Sequence, residues 1–180
     1  MKQPSADPKV ADPAMGRVDL AAGRPEAFAS LYDRLGGALL RVAAAMLRDR
    51  GDAEDAIQDL FVNLVRHRAG LAGVEDLDAY VFTILRNIVY GKLREQQTEQ
   101  RRLREFAASR QPAESVEHDE QIERALASLP PEQREAVTLK IDGGLTFAQI
   151  GSVLNVSANT AAGRYRYAME KLRDRLEPQS

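Results

Sequence analysis

Cysteine and tryptophan are absent from this 180-residue chain, and histidine occurs only at His67 and His118. Without cysteine there can be no disulfide framework, thiolate metal site or thiol nucleophile, and the chain fits a reducing compartment, with the cytoplasm as the expected location. No run approaches the roughly 18 apolar residues of a membrane span, so no membrane partner is expected. A GxxxxGK phosphate loop is also missing. With histidine so scarce, the usual nucleophile, metal and nucleotide constellations drop out, and no catalytic residue, metal or cofactor is expected. His67 reads as a solvated residue at a helix end, and His118 lies among acidic residues of a polar stretch. Neither sign of charge dominates: 25 Lys and Arg against 27 Asp and Glu leave a formal charge of −2. Global charge therefore cannot hold the chain on a polyanion, and any nucleic-acid binding must come from local basic faces or be supported by a partner.

What is present is helix. The hydrophobic content of 44% suffices for real cores, and no strand-like alternation of useful length and no internal repeat occurs. The stretch MKQPSADPKVADPAMG is polar and Pro-rich, which predicts a disordered tail over 1–16. From Arg24 to about Glu95 apolar residues recur at helical spacing, with Pro25 in a first turn. Gly36 and Gly37 are expected to interrupt or bend the opening helix and Gly51 to end it. A second helix is expected from Asp52 and a third, after a loop around 68–75, with Leu77, Tyr80, Val81, Ile84, Leu85 and Ile88 facing the core. Beyond Arg94 the polar run EQQTEQRRLREFAASRQPAESVEHDE reads as a linker whose first part can extend the preceding helix, Pro112 arguing against one continuous helix. The fold class is all-α: two small helical domains, 17–95 and 119–180, joined by a flexible linker over 96–118.

Near the C-terminus, LTFAQIGSVLNVSANTAAGRYR has the spacing of a helix-turn-helix. Thr146 caps a first helix, Ile150 and Leu154 face inward, and Gly151 admits a close crossing. Asn155 suits the turn, Val156 plugs it, and Ser157 caps a second helix with Ala161, Tyr165, Ala168, Leu172 and Leu176 on one stripe. Such a helix can pack its back and offer its first turns to a DNA major groove. A plain pair of packed helices in a bundle would give the same pattern.

Two further faces carry chemistry. The helix from Asp52 gathers Asp52, Asp55, Gln58 and Asp59 on one side, either a solvated face or a dock for a basic partner helix. On the third helix, Thr83, Arg86, Asn87, Tyr90 and Arg94 share a sector. Guanidinium groups for phosphate, an amide for base edges and a ring for stacking suit nucleic acid, and an ordinary polar face has the same composition.

In this order and spacing, AEDAIQDLF, TILRN and SLPPEQRE resemble an extracytoplasmic function (ECF) sigma factor, the small two-domain class of bacterial transcription initiation factors. The resemblance covers nearly all of the chain after the tail. It implies core RNA polymerase as partner, through the β′ clamp helices and the β flap, with Asp55, Gln58 and Asp59 as polymerase contacts. It implies promoter DNA as a second partner. Arg86, Asn87, Tyr90 and Arg94 would engage and open the minus-ten element, and Ser157, Asn159, Thr160, Arg164 and Arg166 would bind the minus-thirty-five element. It also implies regulation by an anti-sigma factor and no catalysis by the chain itself. This sequence departs from the family pattern at Tyr80, where Trp is common, at Gly91, where Asp is frequent, and at Ala162 and Gly163 inside the upstream-reading helix. Those last two changes leave room for a rival reading, a sigma-like decoy that sequesters an anti-sigma factor without binding promoters.

Overall fold

Helix boundaries in this chain follow local chemistry. The computed structural model describes residues 13–106 and 120–176, and among them all regular structure is helical. In order these are α1 (Pro13–Ala21), α2 (Pro25–Leu47), α3 (Arg50–Arg66), a 3-10 helix (Arg68–Gly73), α4 (Leu77–Phe106), α5 (Glu120–Ala127), α6 (Pro131–Ile141), α7 (Phe147–Leu154) and α8 (Ala158–Leu176). None is long and apolar enough to cross a membrane.

Helix α2 runs unbroken through Gly36 and Gly37, where an interruption was expected. The propensity lost at two glycines is outweighed by burying Leu35, Leu39, Val42 and Ala43 along one face. The helix ends at Arg48, which turns left-handed at φ 58° and donates its N–H to Ala44 O. Asp49 then accepts the N–H of Asp52 at 2.8 Å and caps α3. Gly51, expected as a terminator, therefore lies in the first turn of α3, and this helix starts two residues before Asp52. At the other end of the first unit, α1 begins at Pro13, inside the stretch expected as tail. Its Leu20 is buried and its Arg17 donates to Val74 O and, at 2.8 Å, to Glu75 O, tying α1 to the segment ahead of α4. Residues 1–12 lie outside the described residues.

Helix α4 continues through Phe106, well into the stretch expected as linker. Residues 107–119, with Pro112 and His118, lie outside the described residues. The second unit resumes at α5. Pro131 opens α6 at a position that has no intrahelical N–H bond to lose. Arg134 of α6 donates to Leu126 O, Ala127 O and Leu129 O, closing the C-terminal end of α5. Burial lowers the pKa of this guanidinium, and nearby Arg48 lowers it further.

The two helical units pack directly on each other. Apolar burial runs without a break from Leu20, Leu39, Leu60 and Leu85 into Leu139, Leu145, Ile150, Val153 and Ala161, while a smaller cluster of Ala125, Leu129, Val137, Ala168 and Leu172 holds α5, α6 and α8 together. Helix α4 is the shared wall. Val81, Leu85 and Val89 make one stripe at four-residue spacing, and Phe82 beside it is 1% exposed. A Cβ on Gly143, in the loop after α6, would stand 3.3 Å from Phe82 Cε1 and 2.6 Å from Leu139 O, so only glycine allows this approach.

Candidate functional site

On α3, Asp55, Gln58 and Asp59 are all exposed while Ala53, Ala56, Ile57, Leu60 and Leu64 are buried behind them. Asp59 is approached by Lys92 Nζ of α4 at 3.7 Å. Asp52, placed on the same acidic side in the sequence, is half-buried and accepts Gln96 Nε2 at 2.6 Å, which turns it from a docking group into a brace between α3 and α4. The face continues into exposed Val62 and Val65, and Phe61 stacks edge-on against Tyr32 at 5.3 Å. Acid next to accessible apolar side chains is a surface that can bind a basic, partly apolar helix.

The sector of α4 divides. Asn87 and Arg94 are exposed to solvent. Arg86 and Tyr90 face the second unit: Arg86 Nε lies 2.5 Å from Glu135 Oε1 and Nη2 lies 3.2 Å from Oε2, a two-pronged pair, while the guanidinium sits 4.8 Å from the centroid of the Tyr90 ring. Glu135 is 6% exposed. Its hydrogen bond holds Arg86 above the ordinary guanidinium pKa against the opposing effect of burial, and burial followed by the Glu135 carboxylate raises the Tyr90 phenol. Thr83 turns its hydroxyl back to Ala79 O at 2.7 Å and is taken up by its own helix.

The helix-turn-helix is built by two caps and a turn. Thr146 Oγ1 accepts the N–H of Gln149 at 3.2 Å, and Gln149 Oε1 accepts the N–H of Thr146 at 3.0 Å, a reciprocal box at the start of α7. Asn155 ends α7 in the left-handed region at φ 54°. Ser157 Oγ accepts the N–H of Thr160 at 3.0 Å and starts α8. Gly151 is required here, since a Cβ would stand 2.8 Å from Val156 O and 3.1 Å from Ala158 N. Phe147 and Tyr165 meet at 5.6 Å and lock α7 to α8. Ala161, Ala168 and Leu172 are buried as the stripe predicts, whereas Leu176 stays 38% exposed because the stripe outruns the unit beneath it. Ser157, Asn159, Thr160 and Arg166 are exposed and Arg164 is half-buried, so the first turns of α8 face solvent as a group. The Ser157 and Thr160 hydroxyls also meet each other at 2.8 Å; hydroxyls and an amide exposed at a helix N-terminus can bond phosphate and base edges.

Two participants escaped the sequence reading. Gln149 was visible as the fourth residue of a T-x-x-Q box. Glu135 shares a four-residue spacing with the apolar Leu139, the mark of an acid drawn into a packed face, but nothing in the sequence names Arg86 as its partner.

A capped helix-turn-helix packed on a helical bundle whose α3 exposes an acidic face defines an all-α protein of the DNA-binding class. Residues 31–99 match the family model described as sigma-70 region 2, and residues 119–172 match that for sigma-70 region 4. The chain is 30% identical over 159 residues to the RNA polymerase sigma factor CarQ of Myxococcus xanthus, covering 86% of this chain and 91% of CarQ. It is 27% identical over 161 residues to the ECF RNA polymerase sigma factor SigK of Mycobacterium tuberculosis, covering 84% of this chain and 86% of SigK. Among solved structures, CnrH in complex with the cytosolic domain of CnrY matches with a TM-score of 0.68 at 23% identity, over 93% of this chain and 98% of that one. The chain belongs to the sigma-70 family of bacterial transcription initiation factors, in its ECF class.

Proposed function

We propose that this chain is a cytoplasmic, non-catalytic specificity subunit that docks on core RNA polymerase, reads two promoter elements and helps melt the downstream one. Its working units are the helical unit from α1 through α4 and the unit from α5 through α8, with the expected bounds 17–95 and 119–180 extended to Pro13 and Phe106 in the first. Asp55, Gln58 and Asp59 on α3 bind the β′ clamp helices, with the second unit meeting the β flap. Arg86, Asn87, Tyr90 and Arg94 on α4 take the minus-ten strand, using cations for phosphate, the amide for a base edge and the ring for stacking. Ser157, Asn159, Thr160, Arg164 and Arg166 on α8 meet the minus-thirty-five element in the major groove. The near-neutral charge suits this division of labour, because polymerase supplies much of the DNA affinity and the chain supplies the choice of sequence. An anti-sigma protein is the expected regulator, a reading supported by the structural likeness to CnrH, solved with part of CnrY.

The observation that carries the proposal is that α3 and α8 each pack one side on the core and leave Asp55, Gln58 and Asp59 on the one, and Ser157, Asn159, Thr160 and Arg166 on the other, exposed to solvent. Reversing both Asp55→Lys and Asp59→Lys should cut capture of core polymerase about tenfold or more, through like-charge contact with a basic partner, while circular dichroism stays at the wild-type level. Capture that survives the double reversal removes α3 as the dock.

A further inference from the structure

Helix α4 does not stop where its core does. Val89 is the last of its buried residues and Leu93 is half-buried, yet the helix runs on to Phe106. Two braces fix its course against α3: Lys92 Nζ lies 3.7 Å from Asp59 Oδ2, and Gln96 Nε2 donates to Asp52 Oδ2 at 2.6 Å. From Gln97 through Arg102 every side chain is exposed. A helix end this short and this polar has little stability of its own, and burial does not account for it.

The exposed end is patterned. Asn87, Arg94 and Arg101 recur every seven residues, which keeps them on one line of the helix within about 40°. Thr98, between the two arginines, turns its hydroxyl back to Arg94 O at 2.9 Å and leaves the line to the guanidinium groups. Glu95 and Glu99 fall about 100–140° round from it, and exposed Arg102 adds a cation next to Arg101. The row of arginines thus continues, in the same helix, the face assigned to the minus-ten element.

The direction of that continuation follows from chain order. The two promoter elements are about 25 base pairs apart by name, roughly 85 Å at 3.4 Å per pair, and the connection from Phe106 to Glu120 reaches roughly 45 Å at about 3.3 Å per residue. The second unit therefore reaches the upstream element only when the C-terminal end of α4 points upstream. Arg101 then lies about 10 Å beyond Arg94 at 1.5 Å per residue, which corresponds to about three base pairs of the spacer. Guanidinium groups on a helix flank there meet phosphates, which position a protein without reading sequence.

We propose that the C-terminal turns of α4 form a further DNA-contact surface: Arg101 and Arg102 pair with backbone phosphates of the spacer duplex just upstream of the minus-ten element and anchor the duplex beside the strand that α4 takes. This rests on the minus-ten role of α4 given above.

The test uses holoenzyme assembled from core polymerase and the full chain, with binding to a promoter fragment selected by that holoenzyme measured across about 50 to 200 mM salt. Arg101→Ala with Arg102→Ala should lower affinity about fivefold near 100 mM salt and flatten the dependence of log affinity on log salt by about 1.8, the value for two lost phosphate contacts. Capture of core polymerase and sequence preference in both elements should stay at the wild-type level, and Arg101→Lys with Arg102→Lys should keep the salt slope. Neutral methylphosphonate linkages at the three steps upstream of the minus-ten element should cost the wild type a similar factor and cost the alanine pair nothing more. Arg101→Gln with Arg102→Gln replaces the alanine pair if circular dichroism shows that it loses helix. An unchanged salt slope, or neutral linkages that cost wild type and variant equally, overturns the proposal. Weakened capture of core polymerase assigns the two arginines to the polymerase and overturns it as well. If base changes within the minus-ten element cost the wild-type holoenzyme nothing, the fault lies in the reading of α4, and a slope that still falls in the alanine pair keeps the spacer contact.

Discussion

Asp142 sits where a carboxylate is least welcome, at the C-terminal cap of α6, half-buried and beside the negative end of the helix dipole. Burial raises its pKa, and nearby Arg41 opposes the rise only in part. An acid whose folded pKa is raised favours folding in its protonated form, so its charge costs stability above the titration range and the cost fades as the pH falls through it. Asp142→Asn should accordingly stabilise the chain by about 0.5 kcal/mol at pH 7, with the gain shrinking toward zero near pH 4, as read by urea denaturation at the two values. A loss of stability at pH 7 would mean that the carboxylate is a net favourable partner of Arg41. Residue roles of this kind were only partly legible beforehand. Ser157 and Thr146 announce themselves as caps by type and position, whereas the fate of Asp52 depends on Gln96, a residue 44 positions away that spacing rules cannot assign.

At the scale of the element, the two glycines of the helix-turn-helix make opposite predictions from the same substitution. Gly151 is enclosed by the backbone of the turn, and Gly151→Ala should destabilise the chain by about 1–3 kcal/mol, the usual cost of forcing atoms into a packed site. Gly163 has open space around its missing side chain, and Gly163→Ala should stabilise α8 by about 1 kcal/mol, the propensity difference of a helix interior. Thermal melts of both variants check the pair; equal shifts would contradict the packing described here. If Gly163 is retained for close approach to DNA, the stabilised variant loses upstream binding even as it melts later. The helices themselves were well specified by periodicity and caps, and so was the helix-turn-helix down to its turn residue Asn155. Boundaries slipped where two signals competed. Gly36, Gly37 and Gly51 were weighed as breakers, but burial of the α2 face and the Asp49 cap decided those positions.

For the whole molecule, pattern reading found an all-α chain of two units and did not reach the seam between them. The physical reason lies in α4, whose polar sector has a composition that several surroundings share. Arg86 and Tyr90 are polar residues that serve equally well on a solvated face, on DNA or against a buried acid, and only the placement of α6 distinguishes these. Phe82 carried a hint, since an extra apolar residue beside the stripe of Val81, Leu85 and Val89 widens the buried arc beyond what one core needs.

The central claim is that the chain directs core polymerase to particular promoters, and run-off transcription from genomic promoter fragments with purified core enzyme tests it most directly. The account predicts discrete transcripts that appear only when the chain is added, disappear with Asp55→Lys and Asp59→Lys together, and weaken at fragments altered in the upstream element. A folded chain that binds core enzyme yet yields no specific transcript from any fragment would contradict it, and would leave sequestration of an anti-sigma protein as the function that fits.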